Sequence, residues 1–209
     1  MYTLVHSPLV GPLTWRPVAD RLGAAVPSLV DLEPPYWRSV ATRVAAAVTE
    51  PTILVLHSNA GLFVPVIAQA APVAGALIVD GRLPGYAARM HDFLRPMVGD
   101  DGRLPPWTEW WGDADVTPLF PDERTREAVS AEVPRLPIGY FEEQIPTPPG
   151  WDTKPCGYLR FSDAYTAEAE EATRRGWAVE HLPGEHLHQL VNPDAVAERI
   201  VAMTRAWGS

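Results

Sequence analysis

The run Ile53-Leu54-Val55-Leu56-His57-Ser58-Asn59-Ala60-Gly61 constrains this chain more than any other feature. An apolar, strand-like stretch stops at a serine and passes directly into small residues and a helix-like segment. A serine on such a strand-to-helix turn is pushed out at the carboxyl end of a sheet, where neighbouring amides can face a developing oxyanion. The run reads as a nucleophile elbow. It departs from Gly-x-Ser-x-Gly, because Leu56 stands where the first glycine is expected, while Ala60 and Gly61 keep the far side small.

The rest of the chain supplies a setting for such a turn. Residues 2–5 are short and apolar and run into a loop with Pro8 and Pro12, the pattern of a buried strand. Residues 15–25 have helical spacing, 26–32 read as a second strand, and 37–48 place Val40, Val44 and Val48 on one helical face. After the strand at 53–56, residues 62–71 continue as an apolar helix whose Pro65 lies in its first turn or kinks it. Residues 75–80 form a further buried strand that ends in Asp80. Order of the same kind returns later: a strand at 156–161, a helix at 166–175 closed by Gly176, a last strand at 177–181 and a terminal helix at 193–207. Strands alternating with helices in this way predict an α/β fold, a mostly parallel sheet with helices on both faces and reactive loops at the carboxyl ends of the strands.

From Gly81 to Thr153 the alternation breaks into a proline-rich stretch containing Trp107, Trp110 and Trp111. The expectation is a small helical cap inserted at 81–153 within a single domain spanning 1–209. Its tryptophans either pack the cap onto the core or line a substrate pocket.

With 209 residues, 46% of them hydrophobic, the chain can bury one substantial core. Its formal net charge of -9 repels nucleic acid and offers no basic patch to an anionic membrane. A small-molecule partner is the better match. The lone Cys156 forms no intrachain disulfide and reads as a buried strand residue. No metal-ligand spacing and no cofactor motif is present. The start Met1-Tyr2-Thr3-Leu4-Val5-His6 lacks the basic and apolar regions of a signal peptide, and no segment is apolar enough to span a bilayer. The expected location is the cytoplasm.

Two segments far from Ser58 complete a pattern. One is Val5-His6-Ser7-Pro8-Leu9-Val10-Gly11-Pro12-Leu13-Thr14-Trp15; the other is Leu182-Pro183-Gly184-Glu185-His186-Leu187-His188. In chain order, an early His-Gly-type loop, a nucleophile serine, an acid and a late Gly-x-His, the sequence resembles the α/β-hydrolase superfamily. His6, Gly11 and Trp15 match the first-loop spacing of its small plant methyl esterase and hydroxynitrile lyase branch. The resemblance implies Ser58 as nucleophile and His186 as base, since a serine hydroxyl needs an imidazole to take its proton and the imidazole needs an acid. For the acid it favours Asp163, after the penultimate strand, over Asp80, which ends the strand following the elbow. Asp163 also reads as a helix-opening turn residue. His6 would brace the first loop, His57 would point away from the nucleophile, and His188 would be structural or line the pocket.

Oxyanion donors are the unusual point. One is the amide of Asn59, the residue after the nucleophile. The resemblance places the other at Pro8, which has no amide hydrogen, so Leu9 must shift into the role or the hole keeps one backbone donor. Ser7 occupies the position of a substrate-contacting threonine in hydroxynitrile lyases. The leading expectation is a serine hydrolase, esterase-like, acting on an ester or related acyl bond of a small, fairly apolar molecule. The alternative is a lyase, cyclase or dehydratase that uses the same residues for acid/base chemistry, favoured by Leu56, Pro8 and Ser7. A third is a catalytically silent relative that binds a ligand or partner.

Overall fold

The computed structural model describes residues 1–85 and 91–207, so residues 86–90 of the expected insertion and residues 208–209 lie outside it. Five strands, β1 (Tyr2–Val5), β2 (Thr52–His57), β3 (Val73–Val79), β4 (Cys156–Arg160) and β5 (Ala178–His181), pair in that order, all in parallel. The two-residue alternation of the strands divides their side chains between two helical layers. Leu4, Val55, Leu77, Val79 and Leu159 meet α1 (Arg16–Leu22) and α10 (Pro193–Thr204) through Val18, Ala19, Val196 and Ile200. On the opposite face Val5, Leu54, Leu56, Ile78 and Tyr158 meet α2 (Tyr36–Ala47), α3 (Val64–Ala70) and α8 (Thr166–Arg174) through Val40, Val44, Ile67 and Ala172. With both faces covered, the central strands can be continuously apolar. Truncating a fully buried residue such as Ile78 to alanine costs about 2–5 kcal/mol in a site of this kind.

The strand expected at 26–32 does not form. Ala25 makes only an isolated bridge to Thr3, and Leu4 N–H donates to the Ala25 carbonyl at 2.9 Å. Beyond it, side chains take the backbone partners a ladder would need. Leu29 N–H donates to His6 Nε2 at 2.8 Å, and the Arg43 guanidinium donates to the carbonyls of Ser28, Val30 and Asp31. Pro27 has no N–H to offer, and Asp31, at φ +56°, turns the chain away. Pro65 falls in the first turn of α3, where its missing N–H is harmless. Gly176, at φ +76°, follows α8.

Between β3 and β4 the described residues contain no strand. They form α4 (His91–Leu94), α5 (Asp113–Val116), α6 (Glu123–Ser130) and α7 (Gly139–Glu142), joined by short 3-10 helices and irregular loops. At the start of α6 the Asp122 carboxylate accepts from Thr125 N–H at 2.7 Å. Two glutamates fasten this insertion to the sheet layer. Glu132 accepts from Leu13 N–H at 3.0 Å, and Glu143 accepts from Tyr36 and Trp37 N–H at 2.8 and 2.9 Å. Because Pro35 offers no side-chain cap, Glu143 satisfies two open donors at the start of α2 and places negative charge at its positive end. The remaining short helix, α9 (His188–Val191), leads into α10.

Candidate active site

Ser58 follows the last residue of β2 at φ +59°, a conformation that non-glycine residues adopt only when their surroundings impose it. Those surroundings are visible. β2 is buried along its whole length, and Arg82 N–H donates to the Ser58 carbonyl at 3.1 Å. Glycines permit the close approach: a Cβ on Gly81 would lie 2.5 Å from Ser58 O, and one on Gly61 would lie 2.2 Å from Arg82 O. Gly61 and Gly81 therefore provide the room, and Leu56 is free to fill the core beside α3.

His186 Nε2 lies 3.1 Å from Ser58 Oγ, and His186 Nδ1 lies 2.7 Å from Asp80 Oδ2. With the Nδ1 proton given to the carboxylate, Nε2 is the lone-pair nitrogen that accepts from the serine hydroxyl. Asp80 has no exposed surface. Its Oδ1 accepts from the amides of Phe161 and Ser162, both at 2.9 Å, and Oδ2 also accepts from Ser162 Oγ at 2.8 Å. Burial alone would raise its pKa. The hydrogen bond and charge of His186 and the two amides outweigh burial and hold the carboxyl below its ordinary value.

The favoured sequence position for this carboxylate needs correcting. Asp163 points into solvent and pairs with Arg160 at 2.7 Å, away from His186. After β4 the backbone aims its Phe161 and Ser162 amides at Asp80, so this segment supplies donors to a carboxylate instead of the carboxylate itself.

Three other histidines hold the frame. His6 Nδ1–H donates to Ser7 O at 2.8 Å while Nε2 accepts from Leu29, and burial lowers its pKa to about 4. His57 Nε2–H donates to the His186 carbonyl at 2.8 Å, its ring packs 4.6 Å from the His186 ring, and burial lowers its pKa to about 3. His188 packs on Phe161, and its ring closes over Gly184, where no Cβ would fit.

A cavity of about 340 Å³ opens over Ser58, lined by Leu9, Asn59, Arg82, Trp107, Trp111 and Tyr165 among others. Trp107 and Trp111 therefore line it, whereas Trp110 is buried with its Nε1–H on the Pro105 carbonyl at 2.9 Å. Ser7 and Pro8 are buried and are not among the residues that line it. Leu9 does, but its N–H donates to Ser7 Oγ at 3.1 Å. Among the described residues no group of His, Cys, Asp or Glu side chains could hold a metal ion, and no helix is long and apolar enough to cross a membrane.

Arg82 and Tyr165 are among the cavity-lining residues that the sequence did not single out. Each follows by two positions an aspartate weighed as the acid, and that proximity was the available signal. Arg82 forms an ion pair with Glu168, itself buried. Tyr165 stacks on His186.

No protein-family model and no curated protein sequence matches the chain. Solved structures do. A tomato methylketone synthase superposes with a TM-score of 0.71 at 15% identity, covering 99% of this chain and 98% of that one. An Arabidopsis methylesterase gives 0.69 at 14% identity, covering 98% and 99%. An extracellular α/β-hydrolase from a Paenibacillus species, described as homologous in structure and function to a tobacco salicylic acid-binding protein, gives 0.66 at 15% identity, covering 97% and 99%. A likeness that runs through nearly the whole of both chains establishes the architecture: the protein has the α/β-hydrolase fold.

Proposed function

We propose that the protein is a serine hydrolase that cleaves an ester or related acyl bond of a small, fairly apolar molecule. The observation that carries the reading is the unbroken relay from Ser58 Oγ through His186 to Asp80, with contacts of 3.1 and 2.7 Å at the floor of one cavity. Ser58 attacks the acyl carbon as His186 Nε2 takes its proton. Asp80 fixes the imidazole tautomer and stabilises the imidazolium. His186 returns the proton to the leaving group, then deprotonates a water that releases the acid. Asn59 N–H faces the oxyanion. The insertion acts as a cap, and its Trp107 and Trp111 favour apolar or aromatic substrates.

Labelling with a fluorophosphonate tests the reading, because it needs both an activated serine and an open pocket. Covalent adduct on Ser58 is expected, and its absence in Ser58→Ala. A wild-type protein that stays unlabelled under conditions that saturate a known serine esterase removes the reading.

A second reading has its own observation. Pro8 has no N–H and the Leu9 N–H is already given to Ser7 Oγ, so the oxyanion site is short of donors. A lyase, cyclase or dehydratase using His186 and Ser58 for proton transfer needs that site less. The methylketone synthase among the similar structures shows that the fold is not confined to proteins named as esterases.

A further inference from the structure

The loop after β4 gives His186 no acid, yet it delivers Tyr165. The phenol ring lies nearly parallel to the His186 imidazole, with centroids 5.0 Å apart and planes 12° from parallel. The Arg82 guanidinium carbon sits 5.6 Å from the centroid of the same phenol ring, and Glu168 on α8 pairs with Arg82. Tyr165 lines the cavity together with Ser58 and His186. Burial pushes the phenol pKa up to about 12, against the opposing effect of Ser58, so the group is a protonated donor at neutral pH.

The relay does not use this hydroxyl. Ser58 Oγ donates its hydrogen to Nε2, which leaves Tyr165, on the same cavity wall, for the substrate. The stack puts the phenol on the His186 side of the serine, the side from which Nε2 returns a proton to the departing oxygen. The Asn59 amide belongs to the elbow, where the oxyanion is held.

Resting on the serine hydrolase reading, we propose that Tyr165 is a catalytic residue whose hydroxyl donates a hydrogen bond to the leaving-group oxygen of the substrate, beside His186. In that step the Ser58 Oγ–acyl carbon bond forms and the acyl carbon–oxygen bond to the alcohol breaks. The Ser58 proton passes to Nε2 and from it to the departing oxygen. Tyr165 keeps its own proton throughout. Such a donor helps most where negative charge accumulates most, on the oxygen of an alkyl alcohol, and less on a nitrophenolate that disperses its own charge.

Tyr165→Phe keeps the ring and removes only the hydroxyl. It is compared with wild type on ethyl and p-nitrophenyl esters of one acyl group, beside fluorophosphonate labelling of both proteins and their melting temperatures. On the ethyl ester kcat is expected to fall about 10–100-fold, with KM within about twofold, and on the p-nitrophenyl ester by only about threefold. Equal losses on both esters, which a structural or oxyanion role would give, or no loss on either, overturn the proposal while leaving the hydrolase reading intact. A wild-type Ser58 that does not label overturns that reading and the proposal with it.

Discussion

Asp80 and His186 meet through a 2.7 Å hydrogen bond between a carboxylate with no exposed surface and the imidazole Nδ1. A buried carboxylate is tolerable only when its charge is met, and here His186, two amides and a hydroxyl meet it. Asp80→Asn keeps the volume but removes the charge and tautomer control. On the serine hydrolase reading, turnover is expected to fall about 10³–10⁴-fold, the loss seen where a triad loses its acid. Asp163→Asn, at an exposed carboxylate paired with Arg160, is expected to change kcat by less than about twofold. Steady-state kinetics of the two variants on one ester decide the matter, and the reverse ranking would return the acid to the β4 loop.

Ser162 is expected to act through Asp80 and not on the substrate. Ser162→Ala removes the 2.8 Å contact to Oδ2 and leaves both amide contacts to Oδ1. A loss of about 3–10-fold in kcat with little change in KM follows from a less firmly held acid. In the Asp80→Asn background the same change should add almost nothing, because the group it serves is gone. Multiplicative losses in the double variant would place Ser162 outside this network.

The sheet was legible because its signals are local. Buried strands such as Thr52–His57 are continuous apolar runs, and Gly176 and Pro65 mark helix limits by their own backbone chemistry. The strand expected at 26–32 failed for a non-local reason: His6 and Arg43, distant in sequence, claim its amide and carbonyls. The Ser58–His186 contact could be read from their turns, whereas the carboxylate that His186 meets could not. Asp80 and Asp163 both follow strands that end near the site. What separates them is the aim of two backbone amides, a tertiary fact with no sequence mark. For Tyr165 the sequence offered only its nearness to Asp163, because the stack on His186 joins two segments distant in the chain.

The first loop predicts weak esterase activity that can be raised. Leu9 N–H is spent on Ser7 Oγ at 3.1 Å, and Pro8 has none. Losing an oxyanion donor elsewhere costs roughly 2.7–4 kcal/mol in transition-state stabilisation. Wild type should therefore turn over short p-nitrophenyl esters slowly. Pro8→Ala, which restores an amide, and Ser7→Ala, which releases that of Leu9, should each raise kcat by about tenfold or more. Rapid wild-type hydrolysis that neither change improves would mean that the loop already presents a second donor, and would weaken the non-hydrolytic reading.

Indole fluorescence should separate the three insertion tryptophans. Trp107 and Trp111 line the cavity, and Trp111 is 40% exposed, whereas Trp110 is fixed on Pro105. A bound aromatic ester analogue should cover Trp111 and shift emission to shorter wavelength. Trp111→Phe should lose most of that response and Trp107→Phe part of it, with Trp110→Phe retaining it. A response that disappears only in Trp110→Phe would contradict the cavity as described.

Acid should destabilise the protein well above the range in which carboxylates protonate. His6 and His57 are buried and neutral, with pKa values lowered by burial to about 4 and about 3 from an ordinary 6.5. A depressed folded-state pKa means that the unfolded chain binds the proton first. The stability each histidine contributes is complete above pH 6.5 and is lost as pH falls toward its folded value. Between pH 7 and pH 5 the loss is about 2 kcal/mol for each histidine, or about 4 kcal/mol together. Asp80, also held below its ordinary value, adds to the loss in the same direction but only at lower pH, where an unfolded carboxylate begins to protonate. Urea denaturation at the two pH values measures the sum. His6→Asn should be less stable at pH 7, because one ring bridges Ser7 O and Leu29 N–H, and should lose about half as much between pH 7 and pH 5. An unchanged pH slope in that variant would mean that His6 is not held neutral in the folded protein.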